Sequence, residues 1–369
     1  FPTRRSSDLA YQRLDYEMNL SAWDLTTGKM KPGFPQAIED YLFFVNPIVV
    51  DVDGDGLRDV VSGSAGYFVH AWNVDGKEAR GFPKMTGGWV AATPTVGDMD
   101  GDGKRENIVL STKVGRLLRP VPEDQVPNLG FVDPLPFALE YDYSYDGIMR
   151  SVDFSYARLG LNKIDILFVH DIGVYTHGVE LTKVHMKQFL DGGLKALEEL
   201  KRSGVISAYG LGVNEVQVCL DVLRQAPLDC ILLAGRYTLL DRTAEAELIP
   251  LCREKKTSLV VGGVFNSGIL ATGPVAGAHF DYGPATPEIQ TKVRNMMKLA
   301  ADGGYPLAAA ALEFPLHDDT VATVLIGTAK ATSLTRNMKL LKTRVNDSEF
   351  EKYRPHAIAQ ARPTGAVRE

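Results

Sequence analysis

Cysteine is scarce in this sequence: Cys219, Cys230 and Cys252 are the only three in 369 residues. An odd, scattered set gives neither a disulfide framework nor a thiolate zinc site, so packing has to hold the fold. No apolar run approaches the roughly 18 residues that a membrane-spanning helix requires, and no secretory signal is expected at the start. Basic charge is not in excess either. Lys and Arg number 40 against 46 Asp and Glu, and the net charge of -6 gives no footing for nucleic acid or an anionic membrane. What remains is an ordinary globular composition, 45% hydrophobic and 23% charged, with room for one large α/β domain and a smaller one. A reduced, aqueous compartment is expected.

The chain opens on FPTRRSSDL, residues 1 to 9. This string resembles translated sequencing adapter, the alternative being a short disordered basic leader, and in either case it stands outside the fold. From 10 to about 106 the sequence repeats itself. Trp23 and Trp72 lie 49 residues apart, Phe34 and Phe82 in two GFP tripeptides 48 apart, and Asp51 and Asp98 47 apart. A period near 48 suits a four-stranded propeller blade, and Asp-Gly and Pro-Gly turns between short apolar runs support an all-β segment.

Acidic loops mark both repeats. In DVDGDGLRD the carboxylates of Asp51, Asp53, Asp55 and Asp59 alternate so that several can converge on one hard cation, and glycines permit the tight path. Asp98, Asp100, Asp102 and Glu106 recur at the same spacing. Calcium takes six to eight oxygens at such sites; the alternative is a pair of solvated Asp-Gly turns. The spacing begins like an EF-hand but closes at the ninth position. The region resembles the FG-GAP repeats of integrin-α-type propellers, about two blades of them, which implies bound Ca2+. Two blades cannot close a propeller, so this part is expected to be a truncated, propeller-like β fragment.

Past Asn107 the texture changes. NIVLST, KIDILFVHD, GVISAYGLGV, LDCILLAG, TSLVVGGV and VATVLIG are short apolar runs separated by helical patterns such as LDGGLKALEELKRSG and ATPEIQTKVRNMMKLAAD. Such alternation predicts a parallel sheet covered by helices. Six strands are two short of a closed eight-stranded barrel, in which catalytic residues project from strand C-termini. Lys113 and His170 fall at two such ends.

With these two residues go STKVGR, VHD, GLGVNE (210 to 215), AGRYTLLDR (234 to 242), NSGILATG (266 to 273) and VLIGTAKATSLTRNM (324 to 338). In that order they resemble strands three to eight of the aldo/keto reductases. GLGVNE and AGRYTLLDR are most similar to the sugar dehydrogenases that oxidise D-threo-aldoses, L-fucose or L-galactose. The resemblance implies an α/β fold, an incomplete (β/α)8 TIM barrel over 107 to 345 with a C-terminal tail from 346 to 369. It also implies hydride transfer between a nicotinamide cofactor and a carbonyl or alcohol carbon, with a small sugar or carbonyl as partner.

The family works with an Asp, Tyr, Lys, His set. The tyrosine proton, with a pKa near 10, is loosened by a neighbouring ammonium. The resemblance assigns that ammonium to Lys113 and the orientation of the substrate oxygen to His170. It gives Asn214 to the nicotinamide amide and Tyr237 to the ring. Ser267 and Gly268 go to the pyrophosphate, and Gly327, Thr328 and Asn337 to the nucleotide end. The positions where NADP-preferring members carry cations fall on Gly327 and Ser333, which leans toward NAD, although Lys330 and Arg336 are near. His177 is read either as pocket lining or as an exposed loop residue, and Tyr141, Tyr143 and Tyr145 lie where substrate-gripping loops occur. The family's Asp and Tyr precede the lysine strand, where this chain carries the propeller-like repeats. An impaired enzyme is therefore expected, and the join near Lys104 to Asn107 is read as a fusion or an assembly chimera. The rival expectation is a calcium-binding adhesion module with an inactive barrel. Reductases of this kind are cytoplasmic and such propeller repeats often extracellular; the larger part is followed.

Overall fold

The structure is a computed structural model that describes residues 18–38, 47–64, 68–85, 109–128, 134–159, 163–328 and 330–359. Its contacts divide the chain into two units, Phe1–Val109 with Tyr156–Asn162, and Leu110–Ser155 with Lys163–Glu369.

In the first unit, β1 (Met18–Leu20) and β2 (Gln36–Ile38) pair antiparallel. Then β3 (Ile48–Val50), β4 (Asp59–Gly63), β5 (Phe68–Trp72) and β6 (Lys84–Met85) form a four-stranded antiparallel sheet in sequence order. Its small core is Val61, Ala71 and Ala79, with Ile48, Val50 and Phe82 against them. The repeat is legible in the backbone, since Trp23 bridges Met30 and Trp72 bridges Glu78. The two tryptophans differ in burial: Trp72 packs with Leu20 and Ile38, whereas Trp23 is 53% exposed. The second acidic loop, with Asp98, Asp100, Asp102 and Glu106, lies outside the described residues.

The second unit begins with β7 (Ser111–Val114), then an antiparallel pair, β8 (Arg116–Pro120) and β9 (Phe137–Tyr141). The strands β10 (Ile166–His170), β11 (Ala208–Val213), β12 (Cys230–Ala234) and β13 (Ser258–Gly262) follow, each preceded by helix. A two-residue hairpin, β14 (His279–Phe280) with β15 (Gly283–Pro284), comes before β16 (Val321–Leu325). Six of these strands make one parallel sheet in the order β7-β10-β11-β12-β13-β16. All six expected apolar runs thus become strands. The inner ones are buried on both faces, which is why they read as near-continuous Val, Leu and Ile: Leu167, Val169, Leu211, Ile231, Leu233, Leu259 and Val261 are fully buried.

Among the described residues the sheet is open, with β7 and β16 at its edges. Exposed apolar surface remains on β16, with Leu325 at 53%. Past residue 345, helix Asp347–Tyr353 buries Phe350 and Tyr353. Arg242 ties it down by donating to the Phe350 carbonyl at 2.7 Å while its guanidinium lies over the Phe314 ring. The three cysteines are free and buried. Among the described residues no helix is long and apolar enough to cross a membrane.

One local expectation is corrected. YTHGVELTKVH, read as loop-like, lies within helix Val174–Gln188. Gly178, at φ 69 and ψ 172, interrupts the helical path and with it the 3.6-residue period, and Val179, Leu181 and Val184 on the following turns are exposed. A sequence pattern keyed to one apolar stripe has nothing to register there.

Gly210 is required by strand approach, because a Cβ there would collide with the Cys230 carbonyl oxygen on the neighbouring strand. Gly210→Ala should therefore cost about 3 kcal/mol as β11 and β12 are forced apart. Urea unfolding followed at 222 nm reads this directly, since the helices belong to the parallel-sheet unit. A loss below about 0.5 kcal/mol would show that the strands yield freely.

Candidate active site

The C-terminal ends of the parallel strands border a cavity of about 1070 Å³. Lys113, His170, Asn214 and Gly327 all line it, each from a different strand or the loop beyond it. Lys113 lies within β7, opposite Phe168, and its stem runs close to Gly212, where a Cβ would be 3.3 Å from Lys113 Cε. Burial lowers the Lys113 pKa, opposed by the charge of Asp171 and reinforced by Arg116.

Asp171 is the counter-charge. Its Oδ2 lies 3.1 Å from His170 Nε2. Burial alone would raise its pKa, but the His170 hydrogen bond and the charges of Lys113 and Arg116 outweigh that and hold the carboxyl below its usual range. His170 is lowered, first by burial and then by the same two cations, against the pull of Asp171. The imidazole is accordingly neutral near pH 7, able to donate one hydrogen bond and accept another. Asp171 sits at φ 46, a left-handed conformation uncommon outside glycine, and its N–H donates to the Gly212 carbonyl at 3.1 Å.

Behind this wall Tyr143 is fully buried. Its hydroxyl donates to the His170 carbonyl at 2.7 Å and lies 2.9 Å from His177 Nε2. One hydroxyl hydrogen serves one acceptor, so the second contact is His177 Nε2–H donating to Tyr143 Oη. Burial pushes the Tyr143 phenol far up, which makes it a strut beneath His170 rather than a proton source. His177 is buried, does not line the cavity, and is held down to about 4 by burial and the nearby His185. Tyr141 does line the cavity and sets its ring edge-on to His177 at 4.5 Å. Tyr145 faces outward to Glu199.

The loop carrying Asn214 is clamped by Arg236. That side chain donates to the Asn214 carbonyl at 2.7 Å and pairs with Asp281 at 2.8 Å and Asp241 at 3.3 Å. Several expected residues stand outside the cavity. Tyr237 is buried with its ring 5.3 Å from that of Phe314, because the chain turns inward after Gly235. Ser267 accepts from the Tyr282 N–H at 3.2 Å, and Gly268, at φ 92, opens the short helix Ile269–Thr272. Thr328 Oγ1 accepts from the Lys330 N–H at 3.2 Å, just before helix Ala331–Leu340. Asn337 is buried in that helix, and its Oδ1 lacks a partner among the described residues. Asp171, Arg116, Tyr175 and Tyr282 line the cavity without having been singled out. For Asp171 and Arg116 a signal existed, since both stand inside the VHD and STKVGR strings.

In the first unit, carboxylate oxygens of Asp51, Asp53 and Asp59 lie within 4.8 Å of one another. Asp55 departs from the expected set, its carboxylate accepting from the Leu57 N–H at 2.7 Å. Asp51 is braced by the N–H groups of Gly54 and Gly56, at 2.7 and 2.9 Å. Asp59 is fully buried; its Oδ2 accepts from the Val52 N–H at 2.8 Å, and its Oδ1 has no partner among the described residues. Burial and the neighbouring carboxylates raise its pKa.

With this geometry in hand, comparison with known proteins is informative. The aldo/keto reductase family model matches residues 84–358, and an FG-GAP-like repeat model matches residues 51–109. A pyridoxal 4-dehydrogenase of Microbacterium luteolum is 41% identical over 265 residues, 69% of this chain and 77% of its own. A D-threo-aldose 1-dehydrogenase of Pseudomonas sp is 36% identical over 238 residues, 63% of this chain and 70% of its own. The solved holo form of an aldo-keto reductase from Bacillus halodurans superposes with a TM-score of 0.53 at 24% identity, over 72% of this chain and 76% of its own. That likeness carries the fold.

The buried imidazole gives a pH signature. His177 titrates at about 4 when folded, whereas an unfolded histidine titrates near 6.5. Between these values the unfolded chain binds more protons, so stability is complete above about pH 6.5 and declines as pH falls toward 4. Replacing it by His177→Gln should shrink the stability difference between pH 7 and pH 4.5 by about 2 kcal/mol. Urea titrations at both pH values check this; an unchanged difference would mean that His177 protonates freely in the folded state.

Proposed function

The chain belongs to the aldo/keto reductase family, and we propose that its parallel sheet is strands three to eight of that family's barrel, shaped for hydride transfer between nicotinamide and the C1 of an aldose or related carbonyl. The observation that carries this is the meeting of Lys113 and His170, from adjacent strands, on the wall of one cavity. The fit to a dinucleotide rests on the same wall. Gly327 lines it with open space where a side chain would stand, so a phosphate can approach backbone there. The orphaned Asn337 Oδ1 offers a buried acceptor on the helix after β16. When bound, the nicotinamide supplies or accepts the hydride.

The chain's own residues have distinct parts in this proposal. Asn214, held through Arg236, meets the nicotinamide amide, while Ser267, Gly268, Gly327, Thr328 and Asn337 serve the phosphates and adenosine, with Tyr237 packed behind. NAD is favoured over NADP because Gly327 and Ser333 bring no cation to a 2′-phosphate. His170, neutral and with its Nε2–H given to Asp171, accepts through Nδ1 from the hydroxyl of an alcohol substrate. Lys113 supplies positive charge beside it, and Asp171 keeps that charge in place. The family's tyrosine and aspartate have no counterpart in the sequence between the repeats and β7, so the carbonyl would be oriented without its dedicated proton donor. A cytoplasmic setting follows the reductase part.

General acid-base catalysis contributes about 10²- to 10⁴-fold. The protein should therefore quench on binding NADH yet oxidise L-fucose with NAD at least about a thousandfold slower than an intact family member. Pyridoxal, named for one relative, is a second substrate to assay. Turnover of either at the intact rate would end the proposal of an impaired site and require a donor among Tyr141, Tyr175 and Tyr282 of the cavity wall.

A second reading concerns the first unit: a calcium-binding, propeller-type module of FG-GAP repeats. It is supported by the convergence of Asp51, Asp53 and Asp59 and by the buried, unpartnered Asp59 Oδ1, which a cation would satisfy. Saturating Ca2+ should raise the melting temperature of this unit by about 4 °C or more. Asp59→Asn should abolish the rise. A melting curve indifferent to both calcium and chelator would remove the reading.

A further inference from the structure

The charges on the cavity wall do not cancel. Lys113 and Arg116 are cations, Asp171 is an anion, and His170 is held neutral, so one positive charge is left over. Arg116 is the group without a partner. Of the three described arginines in the parallel-sheet unit that are not exposed, Arg236 pairs with two carboxylates and a carbonyl, and Arg242 holds the Phe350 carbonyl and Glu245. The Arg116 side chain makes no hydrogen bond and no ion pair among the described residues. It acts on Asp171 only through space, and the carboxylate's own hydrogen bond goes to His170. A half-buried guanidinium presents five donors in a planar fork, which a ligand entering the cavity can meet in place of solvent.

Resting on the reading of this cavity as a reductase substrate site, we propose that Arg116 receives a carboxylate carried by the substrate, so that the preferred class is a sugar-like carbonyl or alcohol bearing one acid group. Tyr141, opposite Arg116 across the β8–β9 ladder, lines the same wall. The fork matches a carboxylate through two parallel hydrogen bonds. A single negative charge restores neutrality where a phosphate dianion would overshoot. The dinucleotide's pyrophosphate is not the occupant. Arg116 follows β7 at one edge of the sheet, whereas the phosphate-binding turns follow β13 and β16 at the other. Counted along the sheet, four strand spacings separate β7 from β13.

Calorimetric titration of the full chain with D-glucuronate, D-glucose and D-glucose 6-phosphate, with and without saturating NADH, tests the assignment. Glucuronate should bind at least about tenfold tighter than glucose, and the preference should weaken as KCl is raised. Arg116→Gln should bring the two sugars within about twofold of each other while NADH binding is unchanged, and Arg116→Lys should retain part of the preference. Equal affinities in the unsubstituted protein, an undiminished preference in Arg116→Gln, or glucose 6-phosphate binding tightest would each overturn the proposal. Because the salt series uses the unsubstituted chain, it decides even where a variant misfolds. Glucuronate preference without NADH binding would refute the reductase reading and leave Arg116 as the acid receptor; NADH binding without preference would refute only the inference.

Discussion

Lys113 and Arg116 could not share one half-buried wall without a counter-charge, and Asp171 is that charge. Two cations repel each other more strongly as water is removed, and the Lys113 ammonium is driven toward losing its proton. The Asp171 carboxylate is itself kept ionised by His170 and by these two charges. It also takes the Nε2 of His170, so one group sets the protonation of an ammonium and the aim of an imidazole. The unusual backbone at Asp171 is the geometric cost of putting the carboxylate directly after the strand-end histidine.

That arrangement depends in turn on the parallel ladder. His170 pairs with Gly212 and Phe168 with Lys113, so register puts the lysine and the histidine on one face of the sheet, the lysine two residues deeper. Gly212 leaves room for the lysine stem, and Tyr143 locks the histidine from below through its carbonyl. Farther round, Arg236 does the same for the Asn214 loop. The wall is thus built from strands and braced from behind, the construction that keeps a site within tight tolerances.

Much of this was legible from sequence. The six parallel strands announce themselves as apolar runs because burial on both faces demands it, and the strand-end positions of Lys113 and His170 follow from the runs. The acidic loop was visible because one position after another carries Asp. What stayed hidden depends on direction and on negative space. Asp55 belongs to the same alternation as its neighbours, but its side chain bonds to Leu57 instead of joining them. Tyr237 has the right neighbours in the chain but turns into the core against Phe314. Tyr143 is one of three tyrosines in a row of alternating positions, and only burial distinguishes the strut from Tyr141 on the wall and Tyr145 outside. The helix around His177 escaped because Gly178 breaks the period that would have revealed it.

The open sheet carries a consequence for the order in which the molecule comes apart. A strand with neighbours on both sides is held by two ladders, whereas among the described residues β7 is held by one, to β10. Amide exchange with solvent should accordingly proceed from the edges inward, and the strand bearing Lys113 would be among the first to breathe. In a closed barrel every strand is an inner strand and none is first. Here the ammonium stands on the margin, so the steadiness of its position is set by fraying rather than by the rigidity of the core behind it.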